Sequence, residues 1–263
     1  MKLTILGSGT VDPRPDRACS GYFLETSAGD CVVDIGNGVV RRAMEHGVAL
    51  PRVERLFLSH LHPDHTSDIV TFLFARKHAP PPWSRQSSLT LFGPPGTQAF
   101  MQAVFQAWPS LQDSGDGPAV EIVEFSMEEH VLWSEGQVSV TVVPVVHGDM
   151  EAVGYRFVDA DRVFAYSGDS KLCDGVKRVA SGADLFLCEC SCFSRGCEPL
   201  YCRSVHLSWE DVAEICEEAN PSRVVLTHLY QLVLDDKPNP LESLQGVLSA
   251  PVSLAVDGAQ YQI

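Results

Sequence analysis

The sequence predicts one α/β domain with helices packed outside a sandwich of sheets. Three observations carry this expectation. Short apolar runs of strand length alternate with segments of helical periodicity along the whole chain. No linker-like stretch or internal repeat divides them. A chain of 263 residues, 45% of them hydrophobic, can fill one large layered core, so residues 1–263 are read as a single domain.

The elements follow in order. Leu3 to Leu6 is a short apolar strand turned by Gly7-Ser8-Gly9. Gly21 to Thr26 and Cys31 to Ile35 are strands, the second closing on Asp34-Ile35-Gly36-Asn37-Gly38. Val39 to His46 has a helical pattern, and Arg55 to Leu58 is a buried strand. A helix spans Asp68 to Lys77, within an apolar pattern running from Thr66 to His78. Ser88 to Phe92 is a strand and Gly96 to Ala107 a helix, while Val120 to Val146 reads mostly as alternating strands. Gly154 to Val158 and Val163 to Tyr166 form a hairpin around Asp159-Ala160-Asp161. Asp184 to Cys188 is a strand, Trp209 to Ala219 an amphipathic helix and Val224 to Leu226 a buried strand. Pro80-Pro81-Pro82-Trp83 and Asp113 to Pro118 read as surface loops.

Composition narrows the function classes. No window approaches 18 uninterrupted apolar residues, and Met1-Lys2-Leu3-Thr4 opens a strand rather than a secretory signal. A soluble, cytoplasmic protein without membrane association is expected. A formal charge of −15 disfavours extended nucleic acids and anionic membranes, both of which need positive surface charge. Nine cysteines without an export signal are expected to be reduced thiols. Five of them, Cys188, Cys190, Cys192, Cys197 and Cys202, crowd into 15 residues. With no Cys-x-x-Cys pair among them, structural thiols are favoured over a third metal site.

Chemistry concentrates in Ser59-His60-Leu61-His62-Pro63-Asp64-His65, directly after the apolar run Leu56-Phe57-Leu58. Imidazole and carboxylate are the donors that suit zinc. On an extended backbone the alternation of His60 and His62 points both rings to one side. Asp64 and His65 follow where a helix begins and can face a second ion. Further along, His147, Asp169 and His228 each end a strand-like run. Strand ends of a layered α/β domain converge on one crevice, where ligands bind.

The order His-x-His-x-Asp-His, a lone His, an Asp after Ser-Gly and a His after a strand resembles the metallo-β-lactamase fold. Within that superfamily the chain is most similar to the ribonuclease Z group of phosphodiesterases, over nearly its whole length. The resemblance implies an αββα sandwich holding two divalent ions, zinc first, with manganese or iron as alternatives. It implies His60, His62 and His147 on one ion, Asp64, His65 and His228 on the other, and Asp169 between them. Asp34 matches a carboxylate that orients a ligand histidine. His206 matches a histidine that contacts the scissile phosphate, and Glu189 the glutamate that holds it. On the residues alone, His206 could instead merely precede a helix capped by Ser208.

The implied mechanism uses a hydroxide bridging two ions roughly 3.5–4 Å apart. Asp64 would accept a proton and His206 would donate one to the leaving alkoxide. Only 22 positions separate His147 from Asp169, whereas tRNA-processing members insert a long basic arm there. A small phosphodiester, cyclic nucleotide or oligonucleotide therefore ranks first as substrate, and pre-tRNA 3′ processing second. A carboxylic ester, sulfate ester or lactone ranks third, and a non-catalytic ligand sensor on the same fold remains the contrasting reading. Relatives of this group are often dimers, so a homodimer is compatible with the resemblance.

Overall fold

The computed structural model describes residues 1–80, 87–112, 119–196 and 200–263, and its strands form two seven-stranded sheets. The strands are β1 (Lys2–Gly7), β2 (Gly21–Thr26), β3 (Gly29–Ile35), β4 (Arg55–Phe57), β5 (Leu89–Gly93), β6 (Val120–Glu124) and β7 (His130–Glu135). They continue with β8 (Val138–His147), β9 (Met150–Asp159), β10 (Arg162–Tyr166), β11 (Leu185–Glu189), β12 (Val224–Thr227), β13 (Val252–Leu254) and β14 (Gln260–Gln262). One sheet has the order β14-β1-β2-β3-β4-β5-β6, the other β13-β12-β11-β10-β9-β8-β7. In each sheet a parallel half (β3 to β6, β10 to β13) adjoins an antiparallel one.

The period-2 alternation of strand side chains sorts the core into three layers. Leu3, Ile5, Val33, Phe57 and Phe92 from the first sheet meet Val142, Tyr155, Phe157, Tyr166 and Leu187 from the second. Outward-facing Val32, Leu56, Leu58 and Leu91 pack under α1 (Val39–Glu45), α3 (Ile69–His78) and α4 (Thr97–Ala107). On the other side Ala165, Phe186, Cys188, Val224 and Leu226 pack under α5 (Asp174–Ala180), α7 (Trp209–Ala219) and α9 (Pro240–Gln245). Four layers, helices–sheet–sheet–helices, result, which is the expected αββα sandwich. Shorter helices α2 (Pro63–Thr66), α6 (Leu200–Arg203) and α8 (Gln231–Asp235) complete the described elements. No helix among the described residues is long and apolar enough to cross a membrane.

Most expected elements are present to within a residue or two. Helix α7 spans the expected residues because Ser208 and Asp211 form a reciprocal capping box at its start. The hairpin around Ala160-Asp161 is present, but β9 begins at Met150 rather than Gly154. Asp64 and His65 sit in a separate helical turn, α2, before α3. The chain breaks there because Asp68 turns its side chain to the Val40 N–H and its own N–H to the Ile35 carbonyl. Residues 81–83 and 113–118 of the expected loops, and Cys197, lie outside the described residues.

Candidate metal centre

All candidate ligands lie at the C-terminal ends of strands, along one rim of the sandwich. The chain leaving β4 carries His60, His62, Asp64 and His65; β8 ends in His147; Asp169 follows β10; and His228 follows β12. Two supporting residues take left-handed backbone, Asp34 at φ 56° and His228 at φ 53°. Asp and His tolerate this region better than most residues, and here it turns both side chains across the rim.

Nitrogen atoms converge. His62 Nδ1 lies 3.0 Å from His60 Nε2 and 3.2 Å from His147 Nε2. One proton can bridge one such pair, but three imidazoles aimed at a common point leave lone pairs facing one another, an arrangement that suits a cation. A second set, Asp64, His65 and His228, has its donor atoms equally close together. Asp169 stands between the two, its Oδ2 3.3 Å from His228 Nε2 and 3.4 Å from His65 Nε2. The same oxygen is 3.8 and 3.9 Å from the Nε2 atoms of His60 and His147. His65 Nε2 and Asp169 Oδ1 are both buried without a hydrogen-bond partner. Buried polar atoms are rarely left so, and an ion at each set would satisfy both. The donor set therefore fits two cations.

Surrounding residues fix the orientation of the rings. Asp34, fully buried, accepts from the Ser59 N–H (2.7 Å), Ser59 Oγ (2.8 Å) and Tyr166 OH (2.9 Å), and lies 2.8 Å from His65 Nδ1. Ser59 Oγ is also 3.0 Å from His60 Nδ1. Val205 O lies 2.8 Å from His147 Nδ1, and Ser191 Oγ 2.7 Å from His228 Nδ1. The rings of His60, His65, His147 and His228 thus engage Nδ1 with the protein and present Nε2 to the centre.

Charge follows from this layout. Burial alone would push His65 down, but Asp169 and Asp34 on either side raise it well above its usual range. A position between two carboxylates that favours a proton so strongly favours a metal cation for the same electrostatic reason. His60, with burial and the neighbouring His65 both acting against its charge, is held well below the ordinary histidine value. Burial raises the Asp64 carboxyl, yet its contact with His228 and the nearby His65 outweigh that and bring it to about 2.

His206 is placed differently. Its Nδ1 lies 3.1 Å from Glu189 Oε1, and Glu189 is completely buried at the end of β11. The same carboxylate accepts from the backbone N–H groups of Ser170 and Ser191. Burial lowers His206, but the Glu189 charge and hydrogen bond overcome it and raise the imidazole to about 9. Ser208 does cap α7, so the sequence contact with a helix start is real, and His206 faces the cleft as well. By proximity His206 could also join His147 and Asp169, or Glu189 and His228, around an ion. With Nδ1 engaged by Glu189, only Nε2 remains for anything in the cleft.

The cleft itself encloses about 520 Å³ and is walled by His62, Asp64, His147, Asp169, His206 and His228, with Val11, Met150 and Tyr230 at its rim. Ser59, Tyr166, Ser191 and the Val205 carbonyl were not evident from sequence. No spacing marks their contacts with Asp34, His228 and His147, which span 25 or more positions of chain. Among the described residues no candidate metal group includes a cysteine. Cys188 and Cys190 pack in the outer core of the second sheet.

Known proteins share this fold. Residues 29–229 match the model of the β-lactamase superfamily domain. An uncharacterized protein of Mycobacterium tuberculosis is 30% identical over 234 residues, 87% of this chain and 81% of the relative. Ribonuclease Z of Mycobacterium sp. (strain KMS) is 30% identical over 245 residues, 87% of this chain and 84% of that protein. Among solved structures, the short form of human tRNase Z superposes with TM-score 0.78 at 20% identity, covering 100% of this chain and 99% of that one. A diphosphatase of the PhnP family does so with TM-score 0.70 at 20% identity, covering 100% and 97%.

Proposed function

Given that the chain belongs to the β-lactamase superfamily and to its ribonuclease Z-like group, we propose that it is a metal-dependent phosphodiesterase for small phosphodiesters, cyclic nucleotides or oligonucleotides. The observation that carries this reading is the buried Glu189–His206 pair facing the cleft beside seven converging ligands. His60, His62 and His147 would hold one divalent ion, Asp64, His65 and His228 a second, with Asp169 shared. Zinc suits this nitrogen-rich donor set, and manganese or iron are the alternatives. Bound there, such ions supply Lewis acidity that activates water near neutral pH and offsets charge on phosphoryl oxygens.

The chain's own residues supply the rest. Asp34 and Ser59 hold the rings of His65 and His60 in register with the cleft. Asp64, an ionised carboxylate at neutral pH, would accept a proton from the attacking water. Glu189 keeps His206 cationic and fixes its ring, so that the proton at Nε2 passes to the departing alkoxide oxygen. A cationic donor also complements the negative charge of a phosphodiester, which a lactone or carboxylic ester lacks.

A second reading, pre-tRNA 3′ processing, is supported by the ribonuclease Z relative. Against it stands the connection of β8 to β9, a two-residue turn at Gly148-Asp149 where a long basic arm would be expected. The test is turnover of bis-p-nitrophenyl phosphate, cyclic AMP, a short oligonucleotide and a pre-tRNA with Zn²⁺ or Mn²⁺, repeated with chelator. Metal-dependent cleavage of the small phosphodiesters supports the proposal. Cleavage of pre-tRNA alone supports the second reading, and hydrolysis of a lactone panel without any phosphodiester overturns both.

A further inference from the structure

A second cavity of about 530 Å³ adjoins the catalytic cleft and shares Val11 and Asp64 with it. Four arginines line it, Arg14, Arg17, Arg41 and Arg42, against the two carboxylates Asp12 and Asp64. Asp16, Glu45 and Asp257 partner these arginines from the edge, so the cavity is distinguished by its density of guanidinium groups rather than by net charge. Two of the four arginines are built into the fold. Arg17 Nη1 donates to Ser8 Oγ and to the Ala255 carbonyl, while Arg42 reaches the Pro15 carbonyl and Asp257. Together they fasten the 12–17 loop onto α1 and the 255–257 turn, giving the cavity a fixed wall.

The other two are differently engaged. Arg14 uses only Nε, on Asp16 at 3.1 Å, and Arg41 uses only Nε, on Glu45 at 2.9 Å. The paired terminal nitrogens of each guanidinium have no hydrogen-bond partner among the described residues. Asp16 is 57% exposed and Arg41 85% exposed, so these surface ion pairs contribute little and exchange readily. An open guanidinium edge matches two oxygens of a phosphate at once, which makes arginine the favoured residue for that anion.

We propose that this cavity is an anion subsite that receives a second, terminal phosphate of the same substrate whose phosphodiester is cleaved at the metal centre. The inference rests on the phosphodiesterase reading and narrows it to phosphodiesters bearing a further phosphate, such as 5′-phosphorylated short nucleotides. Asp64, on the wall shared by both spaces, marks the side of the centre toward which the retained, phosphate-bearing half extends. His206 lies on the other cavity's wall and serves the departing half.

The test compares kcat/KM for pApA and ApA in the metal-loaded wild-type protein, Arg14→Gln, Arg41→Gln and the double variant, with bis-p-nitrophenyl phosphate as a check that phosphodiesters are cleaved at all. Wild type should prefer pApA by about tenfold or more, the scale of charge-assisted hydrogen bonds to an exposed phosphate. Each substitution should lower the pApA/ApA ratio several-fold through KM, the double variant should bring it near one, and raising salt should lower it in wild type alone. Equal use of pApA and ApA, a preference for ApA, or a ratio that survives the double substitution overturns the subsite while leaving the phosphodiesterase reading intact. Failure to cleave any of the three esters overturns both. Neither side chain packs in the core, so unchanged melting temperatures are expected in the variants.

Discussion

Glu189→Gln isolates the part of the site that would make His206 the proposed acid. The imidazole stands at about 9 against an ordinary 6.5 because Glu189 outweighs the effect of burial. That difference corresponds to roughly 3 kcal/mol in favour of the cation. A glutamine keeps an oxygen for Nδ1–H, so the ring stays in place, but the charge that held the proton is gone. Burial then acts against only the weaker pull of Asp169 and Cys202, and His206 falls back toward its ordinary value. Cations bound beside it lower both wild type and variant, so the comparison rests on the difference between them. The basic limb of kcat/KM should move down by as much as about 2.5 pH units. A full shift of that size takes the protonated fraction at the wild-type midpoint from one half to below 1%, a loss on the order of a hundredfold. The assay is a pH–rate profile on a phosphodiester with an alkyl leaving group beside one with p-nitrophenolate. The poor leaving group should show the full loss and p-nitrophenolate little, because it departs without protonation. An unmoved limb, or equal losses on both esters, would refute the assignment of His206 as proton donor.

Other residues give separate tests. Asp169→Ala removes the carboxylate that lies between both ligand sets; metal analysis should find fewer ions per chain, and turnover should fall by on the order of 10³ or more. Asp34→Asn keeps the shape but weakens the hold on His65, so metal affinity measured against a chelating dye should drop about 10–100-fold. Retained affinity would show that the His65 ring is positioned by other contacts. Gly168→Ala places a Cβ 2.3 Å from the Val153 carbonyl at a φ of +61°; urea unfolding should show a loss of about 1–3 kcal/mol. The neighbouring Asp169 should then bind metal less well.

The sandwich was legible because parallel strands buried on both faces, such as Leu185 to Cys188 and Val224 to Leu226, are unbroken apolar runs with little else to become. The ligand loop was legible because its donors are contiguous. Elements of three residues, β13 and β14, have no periodicity to read and exist through pairing with β12 and β1. Helix α5, with the sequence DGVKRVA, is too short for a helical repeat to stand out and is held by packing on β8 and α7. Likewise Tyr166 and Ser191 look like ordinary strand and loop residues until the fold brings them to Asp34 and His228. Glu189 was ambiguous in sequence, since a carboxylate after a buried strand is commonly exposed; its burial follows from the two backbone N–H groups that satisfy it. The arginine-lined cavity draws on residues from three separate segments and has no linear signature at all.

The proposed centre unites His60, His62, Asp64, His65, His147, Asp169 and His228 around two cations and cleaves phosphodiesters. Its most direct test is metal content by mass spectrometry, followed during stepwise chelation and reconstitution together with turnover of bis-p-nitrophenyl phosphate. Two ions per chain, with turnover rising only as the second site fills and with His206→Ala still retaining both, is the predicted result. Undiminished turnover in chain stripped to one ion or none would contradict it.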